Sequence, residues 1–93
     1  MPYEIRYSEE VAGALQRLRK FDATAILDQI KGILTMNPTL ESKARLKKLR
    51  QPAPSQHRLR VGDFRVFYDV EPQHVKILRN LSKADSMIYL ESD

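Results

Sequence analysis

The sequence predicts an α+β fold: an antiparallel sheet with an N-terminal strand, a helical hairpin on one face and a C-terminal three-stranded meander. Three observations predict it. Apolar residues recur at helical spacing between Ser8 and Leu34, and the period changes to two from His57 onward. Between the alternating runs lies Gly62-Asp63, a two-residue loop with glycine where a type II′ turn needs it.

Each element has its own local reason. Tyr3, Ile5 and Tyr7 alternate with Glu4 and Arg6, which reads as a strand. Ser8 follows in an N-cap position, with Glu9 and Glu10 in the turn where the helix dipole favours acids. Val11, Leu15 and Leu18 then carry a first helix from Ser8 to Lys20, which Gly13 weakens slightly. Asp22 is positioned to cap a second helix whose apolar residues are Ile26, Leu27, Ile30, Ile33 and Leu34. Asn37-Pro38 stops it, because the residue before a proline is pushed out of the α region. So short a joint makes the two helices antiparallel. Leu40 to Leu49 reads as a third short helix, with Leu46 and Leu49 on one side and basic residues around the rest. Gln51 to Ser55 breaks all regularity. Strands are expected over His57–Val61, Phe64–Val70 and Val75–Leu81, with a turn at Glu71-Pro72-Gln73 and a short helix in the tail from Ser82 to Leu90.

The chain of 93 residues is expected to form one domain over 1–93, without repeats or an internal linker. It has no cysteine, which excludes a disulfide framework, a thiolate nucleophile and a cysteine-based zinc site. The N-terminal residues carry neither the basic nor the apolar region of an export signal. No apolar run approaches the ~20 residues that span a bilayer. Charge is the informative quantity. Between Lys43 and Arg65 lie eight basic residues (Lys43, Arg45, Lys47, Lys48, Arg50, Arg58, Arg60 and Arg65) and one acid, Asp63. Of the 16 basic and 12 acidic residues in all, the remainder is eight basic and eleven acidic, so the positive excess of +4 comes from this segment. That is the footprint of a polyanion binder, or equally of the landing site for an acidic protein.

The tight turn fixes register, and register fixes which side chains share a face. Leu59, Val61, Phe64, Val66 and Tyr68 are expected on one face, against the helices. Arg58, Arg60, Arg65 and Phe67 are expected on the other, with Asp69 beside Arg65 as its partner. Opposed like charges destabilise a sheet, so the arginines are either a solvated basic face or a guanidinium cluster for bidentate phosphate contacts. Phe67 is either a platform for base stacking or filler beneath the tail helix. His57 falls by parity on the Leu59 side, as a structural residue. No nucleophile triad, phosphate-binding glycine loop or metal-ligand spacing occurs.

The stretch from His57 to Val70 resembles the central hairpin of the RelE/ParE toxins, whose recurring core reads R-L-R-x-G-x-[YF]-R-[VL]-x-Y; here it runs from Arg58 to Tyr68. Pro38 and the Lys47-Lys48-Leu49 segment also resemble that family's approach to the hairpin, so the likeness covers essentially the whole chain. The resemblance implies a microbial RNase-like fold, a cytoplasmic setting and an antitoxin partner whose acidic, partly disordered segment masks the basic face. RelE-like members cleave mRNA on the ribosome without metal or cofactor, the ribose 2′-hydroxyl attacking its own phosphate. ParE-like members inhibit DNA gyrase without catalysis. The resemblance favours the first activity, with the gyrase-directed toxin and a weakly active relic as alternatives.

Catalytic positions of the family fall on Arg58, Arg65, Lys83 and Tyr89. RNA or phosphate contacts would come from Arg60, Lys43, Arg45, Lys47, Lys48, Arg50 and Phe67. Lys83 stands where arginine is usual and loses its bidentate geometry. Gln56 replaces a basic residue of some active members, and Leu81-Ser82 replaces a glycine-basic pair. Guanidinium does not deprotonate in proteins, so Arg58 and Arg65 would stabilise phosphorane charge. Proton transfer would fall to Lys83 and Tyr89, each shifted by the neighbouring arginines towards its uncharged base form for lysine and its ionised form for tyrosine.

Overall fold

The alternating residues Glu4 to Tyr7 form the first strand, β1 (Glu4–Tyr7), in a computed structural model that describes residues 2–42 and 45–91. The expectation made for Lys43 lies outside the described residues. Ser8 ends the strand and caps α1 (Glu9–Arg17), its Oγ accepting from the Val11 N–H at 3.2 Å. Only Leu18 and Arg19 separate α1 from α2 (Lys20–Gln29), so the helices fold back on each other. Asp22 is not the cap that the sequence suggested. The helix begins at Lys20 with Arg19 in the cap position, and Asp22 sits in the first turn, 3.3 Å from Arg19 Nε. One π-helical turn, Ile30–Leu34, extends α2 before Pro38.

The segment read as a third helix is instead a strand, β2 (Leu46–Lys48), along the edge of β3 (His57–Val61). Unpaired backbone groups on that edge need partners more than this basic segment needs a helix. Leu46 pairs with Leu59, and the Arg60 N–H donates to the Arg45 carbonyl at 2.7 Å. Strands β4 (Phe64–Val70) and β5 (His74–Ser82) follow as expected, and the tail forms α3 (Lys83–Glu91).

The sheet has the order β1-β5-β4-β3-β2. It is mixed rather than wholly antiparallel, because β1 runs parallel to β5. Parity explains this. Two helices return the chain to the end where β1 finished, so β2 runs opposite to β1, and three antiparallel steps bring β5 back to its direction. Val11, Ile26, Ile30 and Leu34 of the helical layer pack on Leu46, Leu59, Val66, Tyr68, Val75 and Ile77 of the sheet. Each fully buried side chain of this kind contributes about 1.5–3 kcal/mol relative to exposure. The buried Tyr68 hydroxyl donates to the Pro38 carbonyl at 2.7 Å, tying the sheet to the segment that leaves the helices.

Candidate nucleic-acid interface on the outer face of the sheet

The β3–β4 turn builds this face. Gly62 has φ +57°, while no other described residue is left-handed, so Asp63 takes a negative φ. That combination is the type II′ geometry. The register pairs Val61 with Phe64, Arg60 with Arg65, Leu59 with Val66 and Arg58 with Phe67, as the sequence predicts. Neighbouring strands extend the outer rows. Lys47 lies opposite Arg58, while Arg79 lies opposite Phe67 and Leu81 opposite Arg65. One row therefore reads Lys47, Arg58, Phe67, Arg79 and the next Arg60, Arg65, Leu81.

Arg65 is pinned: it is only 9% exposed, and its Nη1 donates to the carbonyls of Gly62 (3.3 Å) and Phe64 (3.2 Å). Arg58 is half-buried, and its Nε is sealed from solvent without a hydrogen-bond partner. Burial first, then the charges of Arg65 and Arg60, hold its guanidinium below the usual arginine range. Among the described residues no ion pair involves Arg58, Arg60 or Arg65. Asp69 does not pair with Arg65 as expected. Its Oδ1 accepts from the Gln56 N–H at 2.7 Å, and Gln56 Oε1 accepts from the Val70 N–H at 2.9 Å. Gln56 thus clasps the open end of the hairpin through its backbone N–H and side-chain oxygen, a structural task. The arginines are left with a net positive field that an anion would relieve.

The remaining basic residues divide. Lys47 joins the outer face, whereas Lys48 lies opposite His57 on the helix side. Arg45 lines a groove with Arg60, Asp28 and Gln29 at the hairpin tip, and Arg50 is exposed in the following loop. His57 is buried, as parity predicts, with its ring stacked on Tyr68 at 5.3 Å. Burial and, less strongly, Lys48 push its imidazole below the ordinary value, against opposing pulls from Asp69 and Glu41.

At Ser82 the chain turns over the outer face, the Ser82 Oγ accepting from the Asp85 N–H at 3.2 Å. Lys83 is exposed at the start of α3. Tyr89 lands on Phe67, the ring centroids 4.9 Å apart at 58°. Phe67 is consequently 0% exposed, which corrects the base-stacking expectation: it is filler beneath the helix. The Tyr89 hydroxyl donates to the Pro54 carbonyl at 3.4 Å. Its phenol is raised above the ordinary value, chiefly by burial, with Asp69 adding and Arg79 opposing. The expected lowering by the arginines is therefore reversed.

Arg79 escapes sequence reasoning. Simple alternation from Val75 and Ile77 puts it in the core. A register shift between Phe67 and Tyr68 pairs Tyr68 with Ile77 but Phe67 with Arg79, turning the residue to the outer face. Nothing in the local sequence announces that bulge.

Among the described residues there is no group of three His, Asp or Glu able to hold a metal, and no helix long and apolar enough to cross a membrane. No protein-family model matches the chain, and no curated protein matches it in sequence. Solved structures do. The chain is similar to the toxin–antitoxin complex RelBE2 of Mycobacterium tuberculosis, at 26% identity and TM-score 0.74, over 91% of this chain and 95% of that one. It is similar to the archaeal RelE–RelB complex of Pyrococcus horikoshii at 28% identity and TM-score 0.64, over 89% and 97%. The YoeB dimer of Staphylococcus aureus shares the fold at 23% identity and TM-score 0.65, over 84% and 93%. With the hairpin core from Arg58 to Tyr68 on the same sheet, the chain belongs to the RelE/ParE superfamily of toxins.

Proposed function

We propose that this chain is the toxin of a type II toxin–antitoxin pair and a metal-independent endoribonuclease that cleaves mRNA on the ribosome, inhibiting translation in the cytoplasm. The observation that carries the reading is the cluster of Arg58, Arg60 and Arg65, in which the Arg58 Nε is buried without a partner and no carboxylate among the described residues pairs with the three guanidinium groups. Fold stability alone gives no reason to oppose Arg60 and Arg65. A phosphodiester does.

In this mechanism the ribose 2′-oxygen attacks the adjacent phosphorus and the 5′-oxygen leaves, giving a 2′,3′-cyclic phosphate and a 5′-hydroxyl. Arg58 and Arg65 stabilise the charge that builds on the phosphorane oxygens, Arg65 being held in place by two backbone carbonyls. Arg60, Lys47, Arg45 and Arg50 bind flanking phosphates. Tyr89, kept protonated by burial, donates to the leaving oxygen, and Lys83 is assigned the proton of the 2′-hydroxyl. The partner is an antitoxin whose acidic segment folds over the same cations; the RelE-like structures similar to this chain are complexes with RelB.

Mapping transcripts and translation after induction, beside Arg65→Ala, tests the proposal. Cuts within translated messages that disappear in Arg65→Ala are the expected result. One observation favours a second reading: the Tyr89 hydroxyl is engaged with the Pro54 carbonyl, which suits a binding-only toxin directed at DNA gyrase. Growth arrest with intact messages and a DNA-damage response would establish that reading instead.

A further inference from the structure

We infer that Arg79 is a positioning residue for Tyr89, holding its ring on Phe67, and that Glu10 of the first helix holds Arg79 in turn. The inference rests on the proposed part of Tyr89 in cleavage, but its geometry stands apart from that reading.

Strand β1 ends at Tyr7, opposite Ile77, so β5 continues beyond it with a free edge. Ser8 occupies that edge: its N–H donates to the Ile77 carbonyl and its Oγ to the Leu78 carbonyl, both at 2.9 Å. Helix α1 therefore begins against the bulge, and Glu10, in its first turn, reaches Arg79 with Oε2 3.7 Å from Nη1. The same Nη1 donates to the Leu78 carbonyl at 2.8 Å. Fixed from two sides, the guanidinium carbon stands 5.6 Å from the centroid of the Tyr89 ring. Phe67 flanks the same ring, and Arg58 and Arg79 are the cross-strand neighbours of Phe67. Tyr89 is thus seated over the row that carries the site's arginine.

Helix α3 is short and sparsely buried, and Tyr89, which also donates to the Pro54 carbonyl, is its main aromatic contact with the sheet. Nine residues do not sustain a helix alone in water. Ser86 is its buried residue, and Met87, Ile88 and Leu90 face solvent. The seat of Tyr89 on Phe67 and Arg79 is the aromatic anchor of the helix, so loss of the cation lets the ring and its hydroxyl wander.

The test uses Arg79→Met, which keeps the apolar stem without the charge, Arg79→Lys, which restores a charge, and Glu10→Gln. Amide exchange in α3 and ring-to-ring NOEs between Tyr89 and Phe67 are read on the full chain, with β3 and β4 amides as the folding control. Arg79→Met is expected to lose the NOEs and about tenfold of α3 protection. Arg79→Lys recovers most of it, and Glu10→Gln falls between. In cleavage assays kcat falls in Arg79→Met and recovers in Arg79→Lys, with KM unmoved. Unchanged NOEs and α3 protection in Arg79→Met overturn the inference. If that variant fails to fold, native α3 protection in Glu10→Gln overturns the relay. Absence of cleavage by the native chain would instead strike the nuclease reading, leaving the NMR comparison to decide this one.

Discussion

Arg60 and Arg65 face each other across the β3–β4 ladder, one pair in from the turn, and neither has a carboxylate partner among the described residues. Arg65 instead spends its Nη1 on two carbonyls beside the turn, while Arg60 stays exposed. Directly opposed like charges cost a sheet roughly 0.2–1 kcal/mol. Replacing Arg60 by threonine, a good strand former, should therefore raise the melting temperature slightly at low salt. The same change should weaken binding to single-stranded RNA and reduce its salt dependence by something under one counterion, following a slope of about −0.7 per neutralised phosphate. Thermal melts and salt-titrated binding check both halves. A variant less stable than the native chain would show that the pair is not in conflict.

Arg58 separates function from stability more sharply. Its Nε is buried without a partner, and burial with two neighbouring cations disfavours its charge. Arg58→Met keeps the stem that covers the sheet and removes the unsatisfied group. Stability should stay within about 1 kcal/mol of the native chain, or rise. Cleavage should fall on the order of 100-fold or more, the usual effect of losing one donor to a developing oxyanion. Denaturant midpoints and cleavage rates measured together are the check.

Much of this face was legible in the sequence because a two-residue turn with glycine leaves one register open. Gly62-Asp63 sufficed to put Arg58, Arg60 and Arg65 on one side and His57 with Leu59 on the other. Ser8 likewise announced both the end of β1 and the start of α1. What was not legible depends on distant partners. Leu46 and Leu49 fit a helical stripe, and only the unpaired edge of β3 makes their segment a strand. Phe67 reads equally as a stacking platform or as filler until α3 folds over it and decides for filler, and Asp69 reads as a partner for Arg65 until Gln56 supplies a nearer N–H. Arg79 is hidden by a bulge that reverses the alternation of β5.

Tyr68 tests how firmly the sheet is tied to the helical layer. Its hydroxyl is buried and donates to the Pro38 carbonyl at 2.7 Å, while its ring stacks on His57. Tyr68→Phe keeps the ring and leaves a buried carbonyl unpaired, at a cost of about 1–3 kcal/mol. Leu59→Ala, which empties a fully buried site, should cost about 2–5 kcal/mol. Urea unfolding of the two variants should rank them in that order, with the outer-face arginines undisturbed in Tyr68→Phe.

The same stack makes stability depend on pH through His57. Burial holds its imidazole below its ordinary value, helped by Lys48 and opposed by Asp69 and Glu41. In the unfolded chain the group titrates near ~6.5. Between that value and the lower folded one, the unfolded chain binds more protons, so stability falls as pH falls through the window. Above the unfolded value His57 adds no slope, and its stabilising contribution is fully present. His57→Phe keeps a ring against Tyr68 and removes the proton. The difference in urea midpoint between native and variant should therefore shift in the variant's favour as pH drops from about 7.5 to about 5, a window that mostly avoids carboxylate titration. His74, half-buried beside Glu71, is common to both proteins and cancels in the difference. Parallel declines in the two proteins would mean that the acid sensitivity arises elsewhere and that the buried ring takes up its proton without disturbing the stack.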